Sequence, residues 1–184
     1  MPTMSPVKPF FPPLVVAGQS IDLTHLEPFQ FVMPTTARPK GAVVDVRFSN
    51  HCYSDAYDPE RHPDPVDVWD RGQRRAFDQG RYDLSLGLRA AIEALPASNV
   101  YHTPEANFVR IVASGNEALE YRIYFNVRQG GGPVSADVSL FVESAYRPDQ
   151  RKQVLKPAQM TKVKFALLVD KTVRGERLRF QYRR

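Results

Sequence analysis

The stretch Tyr121–Arg147, YRIYFNVRQGGGPVSADVSLFVESAYR, decides how the rest of the chain folds. Tyr121, Ile123, Phe125 and Val127 alternate with Arg122, Tyr124, Asn126 and Arg128, the period-two pattern of a strand with one buried face. Gly130, Gly131, Gly132 and Pro133 break that run, and Val138 to Val142 begins a second one. Leu140 and Phe141 make the second run apolar on both faces, which predicts a central strand. The pair predicts a β-hairpin whose second strand gives way to Glu143, Ser144, Tyr146 and Arg147.

On the upstream side, Val100–Tyr101 and Asn107–Ala113 read as strands leading into the hairpin through a turn at Gly115-Asn116. Before them comes LSLGLRAAIEAL, with Asp83 as its N-cap and Pro96 as its stop. Leu84, Leu88, Ile92 and Leu95 fall on one helical stripe, which predicts a helix facing the sheet. Phe29, Phe31 and Met33 alternate, as do Val44, Val46 and Phe48, and the two runs predict an antiparallel pair with a long connection. Between Asn50 and Asp70 the prolines Pro59, Pro63 and Pro65 predict an irregular loop, followed by a short helix over Asp70–Asp78.

Downstream, Lys162–Val169 reads as a strand with Val163, Phe165, Leu167 and Val169 inward and Lys162 and Lys164 outward. A turn at Arg174-Gly175-Glu176 returns the chain as a further strand, RLRFQYR. The expected class is therefore α+β: an antiparallel meander with one main helix packed on one face. Residues 1–20 are Pro-rich and predict an irregular arm; residues 21–184 form one domain ending in a basic β segment, 151–184.

At 184 residues, with 42% hydrophobic and 24% charged residues, the composition is that of a globular domain with a core. No apolar run reaches the length of a membrane span, and Pro9, Pro12 and Pro13 interrupt the apolar N-terminus, so the reading is cytoplasmic with no membrane partner. The single cysteine, Cys52, permits no intramolecular disulfide and no Cys-rich metal site. Residues 151–184 carry eleven Lys and Arg against two acidic residues, a net +9, whereas the first 150 residues are net −4. That division predicts a polyanionic partner, nucleic acid first and RNA before DNA, or an acidic protein.

His25, His51, His62 and His102 lack metal-ligand spacing, so no metal or cofactor is expected. Gly130–Gly132 follow a strand but open no helix and carry no GK[ST], so they are a turn and not a phosphate loop. Cys52 next to His51 is not a dyad, because neighbours on an extended chain point to opposite sides; a small buried filler is the expectation. His51 lies just past a core strand, a rigid mount for a general acid or base that titrates near neutrality. Tyr146 and Arg147 leave the central strand together: the arginine suits a phosphate, and the tyrosine suits proton transfer if neighbouring cations lower its pKa. Lys171, Arg174, Arg177 and Arg179 add a basic turn and strand suited to binding substrate.

The helix followed by YRIYFNV, a turn and VSLFVESAYRPD resembles the RelE-like toxins of the barnase–EndoU–colicin–RelE group of small ribonucleases, over about Asp83 to Asp149. Arg122, Tyr146 and Arg147 are the matching positions. The resemblance implies metal-independent RNA cleavage without a cofactor, regulated by a partner such as an antitoxin. It implies His51 as acid or base, Arg122 and Arg147 as a phosphate clamp, and Tyr146 as a stacking or proton-transfer group. A non-catalytic nucleic-acid-binding module built on RLRFQYRR, and an interaction or structural protein of phage or plasmid type that uses sheet edges and the Pro-rich arm, remain alternatives.

Overall fold

The computed structural model describes residues 8–112, 120–131, 136–148 and 155–180. The chain opens with a small hairpin, β1 (Leu14–Val16) and β2 (Gln19–Ile21), then β3 (Phe29–Met33) and β4 (Ala42–Phe48). A second small unit follows: β5 (Ser54–Ala56), β6 (Asp67–Asp70) and β7 (Gln73–Phe77). Helices α1 (Gln79–Ser85) and α2 (Leu88–Glu93) lead to β8 (Asn99–His102), β9 (Phe108–Val112), β10 (Tyr121–Gln129) and β11 (Val138–Tyr146). The last described elements are β12 (Thr161–Lys164) and α3 (Phe165–Val173).

Among the described residues seven strands form the main sheet in the order β12-β8-β9-β10-β11-β4-β3, and β5, β7 and β6 form a separate three-stranded sheet. Strands β10 and β11 make the expected antiparallel pair, from Arg122 opposite Tyr146 to Gln129 opposite Val138. Strand β11 is central, with β4 on its other side, and that pair is parallel. The remaining pairs of the sheet are antiparallel, so the class is α+β.

One face of the sheet is apolar and carries the helices. Ile123, Phe125, Leu140, Val142, Val44 and Val46 are fully buried there with Leu88, Ile92 and Leu95. Phe165 of α3 meets Phe125 edge-on at 6.1 Å. Each fully buried side chain of this size stabilises the fold by about 1.5–3 kcal/mol. The opposite face carries the alternate residues, Asn126, Arg128, Ser139 and Phe141, and is open.

Several local expectations need correction. The stripe Leu84–Leu95 does face the sheet, but it is split at Gly87 into two short helices, and the side-chain cap is Asp78, which accepts from Arg81 N–H at 2.7 Å. The region 50–78 is not an irregular loop plus helix: it is the three-stranded sheet, with β7 where the helix was expected. The segment after Lys162 is strand only to Lys164, and then it is helix. Phe165, Leu168 and Val169 are buried at i, i+3 and i+4, while Leu167 points to solvent. Arg177–Phe180 form no strand; Phe180 instead stacks on His102 with ring centres 3.7 Å apart.

The Pro-rich arm is docked where it is described. Phe10 N–H donates to Glu27 at 2.8 Å, Phe11 packs on Tyr53 at 5.2 Å, and β1 and β2 pair. The turns at Gly115-Asn116 and Gly132-Pro133, residues 1–7, Arg151 and Lys152, and Gln181–Arg184 lie outside the described residues. Among the described residues no helix is long and apolar enough to cross a membrane.

The helical reading of 165–173 has a direct consequence. Leu168 is 5% exposed and Leu167 45%. Leu168→Ala should therefore lower the stability by about 2–5 kcal/mol, and Leu167→Ala by about 0.5 kcal/mol or less. Urea unfolding midpoints measure both; equal losses would contradict the helix.

Candidate functional site

A cleft of about 590 Å3 lies on the open face of β10 and β11. Its floor is Asn126 and Arg128 of β10 with Ser139, Phe141 and Glu143 of β11; its walls are Ser49, His51, Asp70 and Arg71. Each group is held there by a local feature of the chain. After β4, Ser49 caps a single 3-10 turn, Asn50–Cys52, by accepting from His51 N–H at 3.1 Å. That turn fixes His51 at the end of the strand.

The opposite wall is the tip of the β6–β7 hairpin. Arg71 and Gly72 occupy its two turn positions, both with positive φ (48° and 84°), as a tight type I′ connection requires. The hairpin is tied to the 3-10 turn by Asn50, whose side-chain N–H donates to the Trp69 carbonyl at 2.9 Å. Asp70 is thereby brought to His51, with 2.8 Å between Oδ2 and Nε2. A carboxylate only accepts, so Nε2 carries the proton and Nδ1 keeps the lone pair.

Partial burial is the largest influence on His51 and lowers its pKa; the cations Arg75 and Arg81 act in the same direction, against the Asp70 hydrogen bond and charge. The imidazole is thus kept neutral, with a free basic nitrogen, near pH 7. Beneath it, buried Arg75 donates to Ser54 Oγ and to the Ser54 carbonyl, both at 2.9 Å. Arg81 pairs with Asp55 at 2.7 Å and donates to the His51 carbonyl at 3.1 Å. Burial works against the Asp55 carboxylate, but Arg81, the Ala56 N–H and Arg61 outweigh it and hold the group below its ordinary value.

On the floor, Glu143 sits where β11 carries an extra residue relative to β10: Tyr124 faces Ser144, but Phe125 faces Val142. Its two carboxylate oxygens accept from the Asn107 and Asn126 side-chain amides at 3.1 and 2.5 Å. The carboxylate is therefore oriented, with lone pairs left for a substrate hydroxyl or amine. Arg71 and Arg128 are exposed at the rim and supply positive charge across the cleft.

The anticipated residues divide clearly. His51 lines the cleft. Tyr146 reaches the same end of the sheet: the Arg81 guanidinium lies 4.9 Å over its ring, and Tyr124 stacks on it at 5.4 Å. Neither Tyr146 nor Arg147 lines the cleft, however; Arg147 is exposed just beyond β11. The expected lowering of the Tyr146 pKa is corrected, because burial and Tyr124 push it up despite Arg81. Arg122 is corrected as a phosphate clamp: it is 5% exposed and spent on Glu120 at 3.1 Å and the Leu155 carbonyl at 2.6 Å.

Among the remaining basic residues, Lys171 pairs with Glu176, and Arg174 with Asp170 at 3.1 Å. Arg177 and Arg179 are exposed beyond α3, and Lys162 and Lys164 point outward from the edge strand β12. Cys52 is a fully buried filler whose thiol is pushed up to about 12 by burial. His25 lies 2.7 Å from Ser85, but that hydroxyl is buried and donates to the Tyr82 carbonyl, so the pair serves packing. Among the described residues no group of three or more His, Cys, Asp or Glu converges as metal ligands would.

Asp70, Arg71, Arg128, Asn126, Asn107 and Glu143 were not anticipated as site residues. Four carried a local signal: Asp70 and Arg71 open the turn sequence Asp-Arg-Gly-Gln at 70–73, with glycine at the second turn position, and Asn126 and Arg128 lie on the polar face of β10. The rest come together only in space.

The Asp70–His51 contact predicts a titration. The His51 ring should titrate below 6.5, and Asp70→Asn should lower its pKa further by removing a charge that favours imidazolium. Imidazole NMR signals followed against pH report this directly; an unchanged His51 titration in the variant would show that the contact is absent in solution.

Comparison with known proteins adds one finding. No curated protein and no solved structure matches the chain. A model of the YjaZ family matches residues 13–173, nearly the whole chain, so the protein belongs to the YjaZ family.

Proposed function

We propose that the protein is a cytoplasmic, RNA-directed, metal-independent ribonuclease of toxin type, with its site in the cleft between His51 and Glu143. The observation that carries this reading is the Asp70-oriented imidazole and a fixed carboxylate lining one cleft rimmed by Arg71 and Arg128. Neutral His51 accepts the proton of a ribose 2′-hydroxyl at Nδ1. The 2′-oxygen then attacks phosphorus as the bond to the 5′-oxygen breaks, the leaving oxygen takes a proton from water, and the hydroxide so formed takes up the proton held by His51. The products are a 2′,3′-cyclic phosphate and a free 5′-hydroxyl. Arg71 and Arg128 offset the charge that grows on the phosphate oxygens, and Glu143 accepts from a ribose hydroxyl to orient the nucleotide. The chemistry is of the kind expected from the RelE-like resemblance, with the phosphate-binding role moved from Arg122 and Arg147 to Arg71 and Arg128.

A second reading, a nucleic-acid-binding module without catalysis, is favoured by the exposed cations Lys162, Lys164, Arg177 and Arg179 outside the cleft. The same cations suit an acidic protein partner such as an antitoxin.

Cleavage of total RNA separates these readings. His51→Ala should lose about 10²–10⁴-fold in rate, the usual contribution of a general base, and Arg128→Ala should also lose activity, whereas Arg147→Ala should retain it. The rate should rise with pH as His51 deprotonates, with its midpoint shifted to lower pH than for an ordinary histidine, because only the neutral ring accepts a proton. A folded protein that retains RNA on a filter but never cuts it would establish the binding module and overturn the enzyme.

A further inference from the structure

The outer face of the β6–β7 hairpin takes no part in the fold's core. Trp69, the single tryptophan of the chain, is 61% exposed there, although indole is among the costliest side chains to leave in water. It stands directly opposite Arg74 in the hairpin register. The Arg74 guanidinium lies 4.0 Å over the Tyr57 ring and bonds Asp67 at 2.8 Å, and Tyr57 in turn stacks with His62 at 6.3 Å. The result is an aromatic surface beside the Arg74–Asp67 ion pair, with exposed Arg71 at its tip. It is continuous with the cleft: Trp69 adjoins Asp70 and Arg71, the residues that form the cleft wall.

Successive residues of a strand point to opposite sides, so Asp70 faces His51 while Trp69 faces outward. A strand of nucleic acid leaving the cleft over Arg71 at the hairpin tip arrives at the indole. Arg71 complements phosphate, and the indole complements the face of a base. A base inside a duplex is already stacked on both sides and cannot present a face to the indole without being unstacked.

We propose that Trp69 is a stacking platform for a base flanking the phosphate bound in the cleft, which makes single-stranded RNA the substrate class; this rests on the RNA-directed reading given above. The side chain is 61% exposed and outside the buried core, so its replacement should leave the fold intact. A merely structural hairpin residue would show no response of its fluorescence to RNA.

The single tryptophan gives a direct test. The full chain carrying His51→Ala, so that bound RNA is not consumed, is titrated at low salt with a short uridine-only RNA strand and, separately, with an adenine–uracil duplex of the same length. Emission is recorded alongside filter retention. The expected result is saturable quenching by the single strand, little by the duplex, and roughly tenfold or weaker retention of the strand when Trp69→Leu is added. Retention without quenching, or retention unchanged by Trp69→Leu, overturns the platform and leaves the RNA-directed reading standing. Equal quenching by the duplex overturns the single-strand assignment. Absence of any retention at low salt overturns the platform and the RNA-directed reading together.

Discussion

Strands β4 and β11 run side by side in the same direction, from Val44 beside Val138 to Phe48 beside Val142, and Ser49 N–H extends the ladder by one more bond to the Val142 carbonyl at 2.9 Å. Two antiparallel neighbours would end at opposite edges of the sheet. A parallel pair ends at one edge, so whatever follows each strand is delivered to the same place. After β4 comes the 3-10 turn with His51; after the Phe48–Val142 pair comes Glu143. A parallel pair also needs a long crossover, because its strands cannot be joined by a tight turn. Here the crossover holds the three-stranded sheet, the helices α1 and α2 and strands β8 to β10. The hairpin that completes the cleft is therefore part of the connection that the parallel pairing demands.

That arrangement sets the electrostatics. Arg75 and Arg81 lie beneath the 3-10 turn, and Arg61 joins them by pairing with Asp55 at 3.0 Å. One carboxylate shared by Arg61 and Arg81 leaves a net positive support under His51, and partial burial adds to it. Both act against imidazolium, and the Asp70 contact only partly restores it. Asp70 is thus better understood as fixing which ring nitrogen holds the proton than as charging the ring. Arg81 also explains Tyr146: the phenol ring is a surface on which the guanidinium rests while it holds Asp55 and the His51 carbonyl. A tyrosine in that position carries the guanidinium on its face, while its hydroxyl is engaged with Tyr124.

The strands of the main sheet were legible because each is half-buried. Tyr121 to Val127, Phe29 to Met33 and Val44 to Phe48 alternate in the sequence as they alternate in space. The segment KVKFALLVD was not, because short apolar runs satisfy two periods at once. Val163, Phe165, Leu167 and Val169 fit a strand; Phe165, Leu168 and Val169 fit a helix, and tertiary packing against Phe125 decides for the latter. The proline-rich stretch 50–70 concealed a sheet, since strands of three and four residues leave too few positions for a pattern. Of the cleft's residues, His51 alone was read from the sequence as a site residue. Its partners lie on β6, β10 and β11 and in the turns beside them, and sequence spacing holds no record of a contact between residues 19 positions apart, as His51 and Asp70 are, or 92 apart, as His51 and Glu143 are.

The extra residue in β11 links fold and site. Strand side chains alternate strictly, so one inserted residue exchanges the faces of everything beyond it. Leu140 and Val142 point into the core before the irregularity and Ala145 after it, three positions on instead of two. Without the insertion Ser144 would take the inward place, and Ala145 would replace a polar group on the open face. With it, a small residue fills the crowded end of the core. Ser144 and Tyr146 remain outward, Tyr146 against Tyr124, and Glu143 is left between the two alternations within reach of the Asn107 and Asn126 amides. The same local departure from a regular strand that closes the core under β11 therefore releases its carboxylate into the cleft. The sheet could not keep the first and lose the second.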